Sequence, residues 1–205
     1  MRARWIILVA SVALAGAGAA PTVPDFTYYR LPPPQALAVS AAPLFHQAVV
    51  VDAFDADGLY ADQALIYAEQ ADAQQLRQYH YQLWTDPPTR ILQRRLITEL
   101  RQAHVAATVT DELPASDAAI RISGIILRFD RVPVAGGGFS AVVALKLRAD
   151  GPRGVPLIDD YYRAAPAAAG ANLKATVDAY GAAVDEIFTK FYTDLRRQGT
   201  NVHAR

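Results

Sequence analysis

The chain predicts an α+β fold, a two-layer sandwich in which a mostly antiparallel or mixed sheet of about seven strands carries two amphipathic helices on one face. Three features carry that expectation. Short period-2 stretches bounded by Pro, Gly and Asp fill the middle of the chain. Two stretches, after Pro88 and after Asn172, change to an apolar period of 3.6 residues. Most consecutive strands are joined by loops too short to hold a crossover helix.

Residues 1–19 have the layout of a secretory signal peptide. Arg2 and Arg4 form the positive start, Trp5 to Leu14 the apolar stretch, and Ala15 to Ala20 offer small residues for cleavage. The cut is expected after Ala19, because Pro21 blocks one just before it. As a membrane span the stretch is too short and runs into glycine and proline. Residues 20–45 follow as a proline-rich segment containing a short edge strand, Phe26 to Leu31, with Pro32-Pro33-Pro34 as a stiff spacer. The α+β domain fills 46–198, and 199–205 reads as a flexible polar tail.

Within the domain Val49-Val50-Val51 is apolar without alternation, the mark of a strand covered on both faces. Asp52, Asp55, Asp57 and Asp62 surround Gly58 as turn chemistry. They do not form a calcium loop, since Ala53 occupies a ligand position and no closing glutamate follows. Leu65 to Ala68 pairs with Leu76 to Leu83 as a hairpin, in which Tyr79, Tyr81 and Leu83 take one face and Gln78, His80 and Gln82 the other. Thr85-Asp86-Pro87-Pro88 turns the chain into a helix, with Leu92, Leu96, Leu100 and Ala103 as its buried stripe, widened by Ile97. Arg90, Arg94 and Arg101 lie opposite, in water.

Val105, Ala107 and Val109 alternate as the next strand. From Ile120 to Phe129 the apolar phase slips by one residue near Ser123-Gly124, which predicts a β-bulge there. Gly136-Gly137-Gly138 then makes a hairpin to a strand with Phe139, Ala141, Val143, Leu145 and Leu147 inward. Leu157 to Arg163 is the last strand, with Tyr161 and Tyr162 on opposite faces. Asn172 is the expected N-cap of a long helix whose buried stripe runs from Leu173 through Val177, Tyr180, Val184, Ile187, Phe188 and Phe191 to Leu195, ending at Gly199.

Composition limits what such a domain can do. Its 205 residues include 20 basic and 20 acidic ones, and loss of Arg2 and Arg4 with the leader gives a small negative charge, against the basic excess of a nucleic-acid binder. There is no cysteine, hence no disulfide, thiolate nucleophile or cysteine metal site. His46, His80, His104 and His203 show no metal-ligand spacing, no serine sits in a nucleophile elbow, and Asp159-Asp160 point to opposite strand faces. No catalytic residue, metal ligand or cofactor is expected. At strand spacing Tyr79, Tyr81 and Trp84 read first as core aromatics. Their functional reading is the floor of a groove for a partner.

Tyr60-x-Asp62 with Ile66-Tyr67, then Leu76-x-x-Tyr79-x-Tyr81-x-x-Trp84-x-x-Pro87-Pro88, then Leu92-x-x-x-Leu96, resembles the ABC-type transport auxiliary lipoprotein family over roughly Tyr28 to Arg197. That family includes accessory subunits of the paraquat-inducible protein C type that accompany MCE-type lipid transporters. The resemblance implies the same sandwich and a non-catalytic periplasmic auxiliary subunit of a system moving lipid between inner and outer membranes. It implies an MCE-type protein and the ABC permease and ATPase subunits as partners, with phospholipid and self-association as further candidates. A soluble carrier of lipid or another hydrophobic ligand, and a cell-envelope biogenesis adaptor, are the alternatives. Leu14-Ala15-Gly16 would precede the lipidated cysteine of the family, but Ala17 occupies that position. Three explanations stay open: release into the periplasm by ordinary signal peptidase, retention by an uncleaved leader, or a replaced cysteine.

Overall fold

Prolines flank the first extended stretch, so it suits a position where no neighbour needs its N–H groups. It forms β1 (Thr27–Tyr29) at one end of the sheet, parallel to β5 (Leu76–Trp84). The computed structural model describes residues 24–113 and 118–203, so the expected signal peptide and Ala17 lie outside the described residues. Among the described residues no helix is long and apolar enough to cross a membrane.

The remaining strands are β2 (Val49–Val51), β3 (Asp55–Ala56), β4 (Ala64–Ala68), β6 (Val109–Thr110), β7 (Ile120–Pro133), β8 (Phe139–Asp150) and β9 (Pro156–Ala164). They form one nine-stranded mixed sheet, ordered β1-β5-β4-β7-β2-β6, with β8 and β9 continuing antiparallel from β7. The sheet curls as a half-barrel. Strand β3 was not expected, because a two-residue pairing is too short to show periodicity. Of the strand expected over Val105 to Val109 only the end belongs to β6; Ala106 makes an isolated parallel bridge to Phe45, whose N–H donates to the Val105 carbonyl at 3.0 Å.

Helices α1 (Pro88–Gln102) and α2 (Leu173–His203) supply the second layer. Leu92, Leu96, Leu100 and Ala103 are fully buried, as the 3.6-residue stripe requires. Asn172 caps α2, its Oδ1 accepting from the Ala175 N–H at 2.8 Å. Tyr180, Val184, Ile187, Phe188, Phe191 and Leu195 bury the inner face of α2, while Lys174–Asp178 and Glu186–Lys190 pair four residues apart on its wet face. Stripe and sheet close on one core, centred on Trp84, Phe129 and Tyr180.

Three expectations are corrected. The bulge in β7 falls at Leu127, between Ile126 and Arg128, and pairing with β8 is regular through Gly124. Gly124 has another cause: a Cβ there would stand 2.7–2.8 Å from three ring carbons of Phe54. Gly199 does not end α2, which runs on to His203; a Cβ at 199 would meet the Leu44 carbonyl oxygen at 3.0 Å, so this glycine serves close packing. Finally, Tyr79, Tyr81 and Leu83 do not form one buried row opposite Gln78, His80 and Gln82, for a reason set by the partner strand.

Candidate functional site

Strand β5 pairs antiparallel with β4, but its register slips: Ile66 opposes Gln78 while Ala64 opposes Leu83. Tyr79, His80, Tyr81 and Gln82 therefore span a stretch where β4 offers Leu65 alone. An odd number of extra residues exchanges the faces of a strand. Trp84 ends in the core, 1% exposed, with its ring 5.4 Å from both Phe129 and Tyr180. Tyr79 and Tyr81 stay half-buried and line an open groove of about 530 Å³.

Leu59 and Tyr67 wall that groove, together with Arg77, His80 and the glutamines of β5. The Tyr67 and Tyr79 rings lie 4.5 Å apart, and Tyr81 meets the exposed ring of Phe26 at 5.6 Å. Tyr79 is fixed from behind by Arg131, which donates from Nη1 to the Tyr79 hydroxyl at 2.9 Å. The same guanidinium donates to Thr176 Oγ1 at 3.1 Å and to the Ala171 carbonyl at 2.7 Å, and it stacks on Phe139. One buried arginine thus ties the bulge of β5 to the start of α2.

A second polar cluster lies deeper. Asp130, fully buried, is gripped by Arg128 Nε at 3.1 Å and accepts from the Tyr60 hydroxyl, also at 3.1 Å. Burial and the Asp130 charge push the Tyr60 phenol well above its ordinary range, so it stays a neutral donor. The arrangement holds polar groups in place without poising any of them as a nucleophile or base.

Of the aromatic residues marked out in the sequence, Tyr79 and Tyr81 share the groove and Trp84 does not. Arg131 and Phe26 were not identifiable as groove-building residues, because each acts across strands distant in sequence. His80 lines the groove, exposed, while His104 follows α1 with a φ of 61°. Asp159 pairs with Lys146 and Arg148, and Asp160 accepts from the Tyr161 N–H. No three His, Cys, Asp or Glu side chains gather as a metal site among the described residues.

Fold and groove define a class: a curled mixed-sheet α+β domain with two helices and an open aromatic surface site. A family profile for the ABC-type transport auxiliary lipoprotein component matches residues 29–190, and the chain belongs to that family. No curated protein matches it. A crystal structure of a Xanthomonas campestris protein of the DUF330 family is similar with a TM-score of 0.73 at 16% identity, covering 87% of this chain and all of that one. An uncharacterised protein of known structure follows at a TM-score of 0.63 and 14% identity, covering 85% of this chain and 99% of its own. The PelC dodecamer from Paraburkholderia phytofirmans is more distant, with a TM-score of 0.45 and 13% identity over 81% of this chain and 96% of that one.

Proposed function

We propose that this protein is a non-catalytic, periplasmic auxiliary subunit of an MCE-type ABC transport system that moves lipid between the inner and outer membranes. The observation that carries the reading is the family match over residues 29–190, which takes in the whole of β5 and α1 and α2 as far as Lys190. ATP hydrolysis and lipid conduction belong to other subunits in this reading. The present chain docks on the MCE-type component, and the groove at Tyr79 and Tyr81 is a contact surface for it. Aromatic rings held by a rigid second layer suit recognition, because a partner meets apolar area that is already ordered.

A tagged copy isolated from envelope extracts should bring down an MCE-type protein and an ABC permease. Tyr81→Ala should weaken that recovery several-fold while leaving the melting curve unchanged, since Tyr81 is half-buried and among the described rings meets Phe26 and His80. Recovery of neither component would sink the reading. Native mass spectra showing retained phospholipid would instead favour a carrier.

A further inference from the structure

A second trough, separate from the aromatic groove, runs between the proline segment and α1. It measures about 490 Å³ and is floored by Leu31, Pro32, Pro33, Pro34 and Ile91. Its walls do not move easily. Arg95 donates from Nη1 to the Pro32 carbonyl at 2.8 Å, and the Gln35 N–H donates to Asp185 at 3.2 Å. Pro32 also sits against the bare backbone of Gly181, where a Cβ would fall 2.2 Å from its Cγ. The apolar floor is therefore preformed.

Its rim is basic. Arg30 makes no ion pair with a described residue, and Arg94 meets Asp86 at 3.2 Å. Arg95 is compensated by Asp185 and adds nothing to the rim. In a chain whose charges balance, two arginines against one aspartate make a local positive field around an apolar strip. Prolines have no N–H, so the trough cannot take up a partner as an added strand. An occupant must be held through side chains: apolar ones on the floor, acidic ones on the rim.

We propose that this trough seats an acidic amphipathic segment of a partner protein, with its apolar stripe on Leu31, Pro33 and Ile91 and its carboxylates on Arg30 and Arg94. A membrane surface fits less well, because anionic lipid is recognised by clusters of roughly four to eight basic residues and this rim has two, one of them paired. The inference rests on the docking function proposed above and names the surface and the chemistry of its partner.

The test uses the full chain in cells, with photo-reactive benzoylphenylalanine at Thr98, which lines the trough and is exposed. Tyr161, exposed on β9, serves as control position. Light should crosslink position 98, and not 161, to one protein through a segment rich in Asp and Glu beside an apolar stripe. Arg30→Glu with Arg94→Glu should cut that capture about tenfold, as two lost charge pairs would. Arginine substituted for the acidic residues of the captured segment should restore it. Arg30→Gln with Arg94→Gln, expected to give a smaller loss, covers the case in which the reversed charges disturb folding. Crosslinks to phospholipid, to a neutral or basic segment, or to nothing would overturn the proposal, as would capture insensitive to both arginine pairs. If transporter components still co-purify with the Glu variants, the trough fails and the docking function stands; if the captured acidic segment belongs to no transport protein, the reverse holds.

Discussion

Tyr180 carries a hydroxyl that folding takes out of water and gives no partner among the described residues. Its ring is well used, stacked on Phe129 at 4.6 Å and edge-on to Trp84. Burial, and then the nearby Asp130 charge, hold the phenol well above its usual pKa, so the neutral form is favoured. An unsatisfied buried hydroxyl costs about 1–3 kcal/mol, whereas the ring alone costs nothing. Tyr180→Phe should therefore raise the urea midpoint at an unchanged slope. A fall of similar size would show that the hydroxyl has a partner, such as an ordered water. Gly124 makes the opposite case. An added methyl group would push into the buried Phe54 ring, so Gly124→Ala should lower stability by about 1–3 kcal/mol, and Phe54→Leu in the same chain should recover part of it. A melt unmoved by the alanine would refute that close packing.

Elements differ in how plainly the sequence announces them, and the difference is physical. Both helices were legible because an apolar stripe is a property of one segment: Leu92, Leu96 and Leu100, or Val184, Ile187 and Phe191, name their buried face without help from a partner. The bulge of β5 was not, since the mismatch exists only between Tyr79–Gln82 and the single Leu65 across from them. Alternation within one strand cannot report it. Trp84 thus read as a neighbour of Tyr79 and Tyr81 and belongs to the core. Glycines misled for a related reason. Gly124 and Gly199 resemble a kink and a stop, yet both exist to let a distant residue approach. Gly181, inside α2, is of the same kind, and a helix-interior glycine is unfavourable by about 1 kcal/mol relative to alanine. Gly181→Ala should displace Pro32 and free residues 32–40 to proteolysis and hydrogen exchange, although it favours the helix itself. A higher melting temperature with that segment still protected would contradict the contact.

The whole molecule is tied together by one buried charge cluster whose parts lie far apart in the chain. Arg95 of α1 reaches Glu99 on its own helix at 2.9 Å, Asp185 of α2, and the Pro32 carbonyl of the N-terminal segment. Tyr192 and Ala103 add further bonds from the helices to that segment, at Ala38 and Ser40. Apart from Arg95 and Glu99, four residues apart on one helix, nothing in the spacing of these residues marked them as partners, because the rest meet only once sheet and helices have closed. Glu99 is 1% exposed, and its second carboxylate oxygen has no partner among the described residues. Burial raises its pKa from 4.5 to about 7, with Arg95 pulling the other way. In the unfolded chain Glu99 gives up its proton near pH 4.5, whereas in the folded protein it keeps it to about 7. Between those values the folded state binds more protons, so stability must fall as pH rises through that window and level off above it. At about 1.4 kcal/mol for each pKa unit the loss is about 3 kcal/mol. Urea midpoints measured from pH 5 to 8 should decline in the native protein and stay flatter in Glu99→Gln, which keeps the shape of the side chain and cannot ionise. Parallel curves for the two proteins would mean that Glu99 is already ionised in the folded state and that Arg95 fully compensates it.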